Sequence, residues 1–150
     1  MNTTILENAR VFDGTSPKLG DPTAVTICGD KIVGIGTPLP DPGACTIVDL
    51  EGRTLMPGLI DAHFHAFATE IDTAKCEALP ATYQSHRARQ NLEAALKRGF
   101  TTVRDVAGGD YGTWRAGEEG LFPSPRLFYC GRAFSQTGGH GDARHPHENA

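Results

Sequence analysis

The residues best suited to chemistry are two histidines, His63 and His65, near the end of the apolar segment LIDAHFHA (59–66). The segment reads as a β-strand, on which side chains alternate between two faces, so both imidazoles project from the same face. Their α-carbons are then about 6.6 Å apart. Two imidazoles at this spacing can converge on one divalent metal ion. On a helix the two side chains would point apart, so the pair predicts a metal site only on a strand.

An isolated HxH motif is common and usually has no function. The position of this pair in the chain strengthens the prediction of a metal site. These histidines stand at the carboxyl end of a strand, where open α/β sheets and (β/α)₈ barrels place their sites. Asp61 shares their parity, and a carboxylate there could orient an imidazole or another group around the site.

A third histidine, His140, lies in the glycine-rich segment TGGHGD (137–142). Glycine permits positive φ and a close backbone approach to a ligand, so His140 could contact a substrate carbonyl or carboxylate. The alternative is a solvated histidine on an ordinary loop. Asp142 could anchor this loop through its side chain. The second HxH motif, His145-Pro146-His147, is a weaker candidate because proline disfavours a central strand.

The elements that must position these residues alternate between strand and helix. The predicted order is strand 59–66, helix 82–98, strand 100–106, short helix 112–120 and strand 126–134. This alternation favours parallel βα units. The long helix has one apolar face, with Thr82 as the expected N-cap and Gly99 as the residue that ends it. Arg104 and Asp105 end the second strand, where we expect an ion pair rather than a substrate contact.

The first part of the chain has only strand signals. They cover 4–12, 23–28, 31–36, 45–50 and a short segment before Pro57. Gly29-Asp30 suits a type II′ hairpin between two of these strands. The pattern predicts a small antiparallel sheet or half-sandwich over about residues 1–56.

Composition excludes several classes of protein. The 150 residues carry a net charge of −4, with 39% hydrophobic and 21% charged residues, which is a globular rather than a disordered profile. Lysine and arginine are scattered, so we expect no nucleic-acid partner. No segment is apolar enough to span a membrane, and the N-terminus does not read as a signal peptide. Four separated cysteines without a CxxC pair favour free thiols, and we expect a cytoplasmic protein.

The segment MPGLIDAHFH (56–65) resembles the PGLIDxHxH signature of the metal-dependent amidohydrolase superfamily. GDKIVGIG and VDLEGRTLMPGLID are similar to the β-sandwich lead-in of that family. RGFTTVRDVAGG and TGGHGD resemble one branch, which contains prolidase-like dipeptidases and imidazolonepropionase-like enzymes.

This resemblance implies an α/β fold. Residues 1–56 would form a urease-like composite β-sandwich part, and residues 57–150 the first βα units of a (β/α)₈ TIM barrel. His63 and His65 would bind the more buried of one or two divalent ions, with zinc the expected metal. The resemblance also favours substrate binding by His140. The implied reaction is hydrolysis of amide, peptide or cyclic amide C–N bonds in a small molecule or short peptide by metal-activated water.

The chain departs from the family pattern in length. A complete barrel needs about 250 residues, whereas residues 57–150 number fewer than 100. The resemblance implies further ligands and a general-base aspartate on later strands, which we expect beyond residue 150. We therefore interpret the chain as the N-terminal portion of a longer enzyme, inactive alone.

Two alternatives stay open: a mononuclear deaminase of the same superfamily, and a non-catalytic fragment. The sequence alone specifies neither the substrate nor the metal, and both a monomer and a homo-oligomer fit it.

Overall fold

A computed structural model describes residues 2–37, 43–142 and 144. The chain is a mixed α/β protein that divides into two compact units, Met1–Pro57 and Gly58–Ala150. No helix in the described ranges is long and apolar enough to cross a bilayer.

The first unit is a five-stranded sheet. Its strands are β1 (Thr3–Val11), β2 (Thr23–Cys28), β3 (Lys31–Ile35), β4 (Cys45–Asp49) and β5 (Thr54–Leu55). The order is β3-β2-β1-β4, and β5 pairs with the far end of β1.

The predicted antiparallel sheet is wrong in part. β1 pairs antiparallel with β2 but parallel with β4 and β5. The reason is that β4 crosses to the free edge of β1 instead of folding back on β3 as a hairpin. The tight turn between β2 and β3 follows the sequence pattern, since Gly29 has a φ of 62°, as the first position of a type II′ turn requires.

The second unit contains the predicted βα alternation. Its elements are β6 (Leu59–Phe64), α1 (Thr73–Glu77), α2 (Ala81–Lys97), β7 (Phe100–Asp105), α3 (Tyr111–Glu118) and β8 (Arg126–Tyr129). The three strands form a parallel sheet in the order β6-β7-β8, which confirms the predicted topology.

The structure differs from the predicted elements at several points, among them α1, α2 and the carboxyl ends of β6 and β8. α1 was not expected, because five residues are too few to show helical periodicity; Asp72 caps it by accepting the N–H groups of Ala74 and Lys75. α2 begins after Pro80 rather than after Thr82, without a side-chain cap. β8 ends at Tyr129 instead of residue 134, and Gly131, at a φ of 79°, follows closely.

The end of α2 follows the prediction. Gly99 adopts a φ of 93° and donates its N–H to the carbonyl of Leu96 at 2.9 Å, so the chain turns directly into β7. The buried face of the helix consists of Ala88, Leu92 and Ala95.

The hydrophobic core of the second unit lies between the parallel sheet and its helices. Its buried members are Ala66, Phe67, Ala88, Leu92, Ala95, Val103, Phe122 and Leu127. Other sheet residues remain exposed, for example Ile60 at 71% and Phe128 at 55%. The helices therefore cover only part of the apolar surface of the sheet.

We expect Leu92→Ala to destabilise the second unit by about 2–5 kcal/mol, because it removes a fully buried side chain and leaves a cavity. Denaturant unfolding followed by the fluorescence of Trp114, which packs against the core, measures the change. Leu121→Ala is the matched control, since Leu121 is 72% exposed, and its effect should stay within about 0.5 kcal/mol. Equal effects of the two variants would contradict this assignment of the core.

Candidate metal and substrate site

The two histidines of the HxH motif lie side by side at the carboxyl end of β6. Their ring centroids are 5.2 Å apart and the ring planes meet at 75°. Both residues are exposed. The two rings are therefore neighbours, as expected. β6 ends at Phe64, however, so His65 lies one residue past the strand and strand alternation does not account for the position of its ring. Their role as metal ligands remains a prediction.

Asp61 accepts a hydrogen bond from the backbone of the histidine segment. Its Oδ1 accepts the main-chain N–H of His63 at 3.0 Å. The sequence suggested that this carboxylate could orient an imidazole, but the described contact is with the peptide group two residues along. Asp61 thus helps to fix the backbone from which the His63 ring extends.

The carboxylate of Asp105, at the end of β7, is fully buried. Its Oδ2 accepts the N–H of Ala66 at 2.6 Å, and its Oδ1 accepts the N–H groups of Ala107 and Gly109, each at 3.0 Å. Burial raises the pKa of the Asp105 carboxyl above its ordinary value, while the three N–H donors and the nearby His65 oppose this rise.

The structural ion pair expected at Arg104 and Asp105 is wrong, since neither residue forms an ion pair among the described residues. Arg104 instead donates from Nε to the carbonyl of Ala62 on the neighbouring strand at 2.9 Å. Adjacent residues on a strand project to opposite faces, so these two side chains diverge even though they are consecutive.

Asn91 also holds the backbone next to the histidine pair, a role that the sequence did not reveal. From α2, its Nδ2 donates to the carbonyl of Ala66 at 2.9 Å. The available signal was a polar amide next to the buried face of an otherwise amphipathic helix. Its partner could not be inferred, because 25 residues separate the two groups along the chain.

A cavity of about 630 Å³ lies beside His65. Its lining includes the charged residues Glu77 and Arg132, which form an ion pair at 3.3 Å, and the loop residues Gly141 and Asp142. The volume is within the usual range for small-molecule sites.

His140 is exposed on the turn after β8. Its neighbours Gly141 and Asp142 line the cavity, but no described hydrogen bond or ring contact joins His140 to the histidine pair. The predicted substrate contact of His140 therefore remains a prediction. His145 and His147, the second HxH motif, lie outside the described residues.

Asp142 anchors the loop that carries His140, as the sequence suggested. It accepts the N–H of Gly138 at 2.9 Å and pairs with Arg144 at 2.7 Å. The hydrogen bond from Arg144, together with that from Gly138, holds the pKa of the Asp142 carboxyl well below its ordinary value of 3.8.

The described residues contain no cluster of three or more histidine, cysteine, aspartate or glutamate side chains that could hold a metal ion. A catalytic zinc ion typically takes three protein ligands. The described part of the chain thus presents a pair of imidazoles and not a full ligand set.

Residues 54–150 match the Amidohydrolase family, and the chain belongs to that family. The match begins in β5 and includes the whole second unit, with the histidine pair, the cavity and the His140 loop.

Individual relatives match about half of the chain. Ochratoxinase of Aspergillus niger is 39% identical over 93 residues, or 59% of this chain and 19% of the relative. An adenine deaminase of Cereibacter sphaeroides is 44% identical over 76 residues, or 48% of this chain and 13% of the relative.

Among solved structures, a prolidase complexed with N-methylphosphonate-L-proline has a TM-score of 0.87 and 38% sequence identity. That match covers 95% of this chain and 35% of the prolidase. The chain therefore spans about a fifth of the ochratoxinase and about a third of the prolidase.

We expect the Asp142 anchor to persist at mildly acidic pH. A carboxylate with a lowered pKa contributes stability above its ordinary pKa of 3.8 and loses it as pH falls through the lower folded value. The amide NMR shift of Gly138 should therefore stay constant between neutral pH and 3.8 and change only below it. Asp142→Ala should abolish this titration, and a midpoint at or above 3.8 would contradict the assignment.

Proposed function

We propose that this chain supplies the N-terminal part of a metal-dependent hydrolase that cleaves amide, peptide or cyclic amide C–N bonds. The observation that carries the proposal is the pair of histidine rings, 5.2 Å apart, at the end of the first parallel strand of an amidohydrolase-family chain. The activity is that of the longer protein, because the chain spans only a third of the solved prolidase. By itself the chain is expected to be inactive.

The fold proposed for that longer protein is a (β/α)₈ TIM barrel with a β-sandwich part. The second unit would contribute the first βα units of the barrel, and residues 1–56 would belong to the sandwich. Three parallel strands with helices between them, and exposed apolar side chains such as Ile60 and Phe128, support this view. Later barrel elements would cover these side chains. Barrels of this kind place their sites at the carboxyl ends of the strands, where His63 and His65 lie.

The donor set fits a divalent cation. Imidazole nitrogen is a good ligand for zinc and for other first-row metals. Both rings are exposed beside a cavity, and Asp61 and Asp105 hold their backbone on either side. We propose His63 and His65 as two of the ligands and zinc as the metal, in one or two copies. Such an ion supplies Lewis acidity, which polarises the scissile carbonyl and lowers the pKa of water.

The remaining roles are assigned to residues around the pair. His140 would contact a substrate carbonyl or carboxylate from the loop that Asp142 anchors. The general-base aspartate and further metal ligands would come from parts of the protein that follow residue 150. The substrate class is a small molecule or short peptide, in keeping with a cavity of about 630 Å³.

The second candidate is a deaminase of the same superfamily, favoured by the 44% identity to an adenine deaminase. That similarity covers 48% of the chain, whereas the prolidase match covers 95%. The broader match favours hydrolysis of an amide or peptide bond over deamination.

We expect His63→Ala and His65→Ala, each in the full-length protein, to lower the bound zinc measured by elemental analysis and to reduce hydrolysis by at least about a hundredfold. The reason is that each variant removes one protein ligand of the metal that activates water. The assay panel contains dipeptides, N-acyl amino acids and cyclic amides. Ammonia release from adenine measures deaminase activity.

His86→Ala is the matched control, because His86 is also an exposed histidine but lies on α2. It should retain both metal and activity. Retention of metal and activity in the His63 and His65 variants would refute the proposed site. Ammonia release from adenine without amide hydrolysis would favour the deaminase.

A further inference from the structure

Ala66, the residue directly after His65, is held by side chains on both sides of its backbone. Its N–H donates to Oδ2 of Asp105 at 2.6 Å, and its carbonyl accepts from Nδ2 of Asn91 at 2.9 Å. Ala66 itself is fully buried. A buried peptide N–H or carbonyl needs a partner, and here both partners come from side chains instead of a strand ladder.

These contacts begin where the backbone pairing of β6 ends. The last strand residue, Phe64, still accepts the N–H of Val106 at 3.0 Å. His65 is the next residue, outside the strand, and Ala66 follows it. The orientation of the His65 backbone therefore depends on the ladder before it and on the two side chains after it.

Asp105 and Asn91 connect this point to the rest of the second unit. The other oxygen of Asp105 accepts the N–H groups of Ala107 and Gly109 in the turn after β7. Asn91 is part of α2, next to the fully buried Leu92. The ends of two strands and the central helix thus converge on one residue, Ala66.

We propose that Asp105 and Asn91 are positioning residues that fix the His65 imidazole beside that of His63 through the Ala66 backbone, so that the pair is arranged for a metal before the metal binds. This inference rests on the proposed metal site. It adds two residues, neither of which contacts the metal, whose loss should weaken metal binding.

The chemistry of Asp105 explains why a carboxylate is needed. Its Oδ2 accepts the N–H of Ala66, and its Oδ1 accepts the N–H groups of Ala107 and Gly109 in the turn after β7. An asparagine has only one acceptor oxygen, so Asp105→Asn must leave either the Ala66 N–H or the two turn N–H groups facing an amide NH₂. The variant is nearly identical in shape and tests the hydrogen bonds separately from packing.

The test uses the full-length protein, metal-free and then titrated with Co²⁺ alone. In the metal-free protein, amide hydrogen exchange at Ala66 should accelerate about tenfold in Asp105→Asn, as expected for loss of one buried hydrogen bond. The affinity for Co²⁺ should fall by about 10- to 100-fold, as for other residues that orient metal-binding histidines, and the d–d absorption spectrum should change. Asn91→Ala is the second test variant and should also weaken Co²⁺ binding. It keeps the proposal testable if Asp105→Asn does not fold.

Two controls separate positioning from general destabilisation. Asp110→Asn alters another carboxylate that accepts a main-chain N–H, that of Thr113 at 2.7 Å, without a contact to Ala66. Leu127→Ala destabilises the core from β8. Both should leave the Co²⁺ affinity and spectrum unchanged.

The possible failures are distinguishable. If Co²⁺ binding is lost in His63→Ala and His65→Ala but unchanged in Asp105→Asn and Asn91→Ala, the positioning role is overturned and the metal site stands. If the histidine variants bind Co²⁺ normally, the proposed metal site fails, and the positioning role fails with it. A loss of affinity in Leu127→Ala equal to that in Asp105→Asn would also overturn the inference, because stability alone would then explain it.

Discussion

The hydrogen bonds that hold the backbone at the end of β6 are the constraint on which the candidate site depends. His63 lies in β6 where the pairing with β7 is irregular, and Asp61 accepts its N–H, whereas His65 lies past the last strand residue. Its neighbour Ala66 is buried, and the carboxylate of Asp105 satisfies its N–H. Without that acceptor, a peptide group would be buried unpaired at a cost of about 1–3 kcal/mol. The same contact that satisfies the backbone thereby places the second imidazole next to the first.

The parallel topology explains why these groups meet. β6, β7 and β8 run in the same direction, so the residues that follow them emerge at one edge of the sheet. His63 lies near the end of β6 and His65 directly follows it, the turn held by Asp105 follows β7, and the His140 loop follows β8. The cavity beside His65 is lined by residues from all three connections. A site built in this way can change its substrate through its loops while the sheet stays the same.

Much of this arrangement could be predicted from local patterns. The βα alternation, the buried face of α2 and the helix end at Gly99 follow from short-range periodicity or from backbone preferences. The parallel pairing of β1 with β4 could not be predicted in this way, because strand alternation does not reveal which edge a strand joins. The extent of α1 and of β8 depended on capping and turn residues in segments too short to show a period.

The sequence by itself predicted two histidines, two residues apart, at the end of a strand, since the apolar segment 59–66 and the identities of residues 63 and 65 can be read without any long-range contact. It also carried the resemblance to amidohydrolases in short contiguous motifs. Only the tertiary structure decided that Asp105 accepts the N–H of Ala66, and that Asn91 reaches the carbonyl of the same residue from α2. Asp105 is 39 residues from Ala66 along the chain and Asn91 is 25 residues from it, so these contacts form only after the strands and the helix have packed.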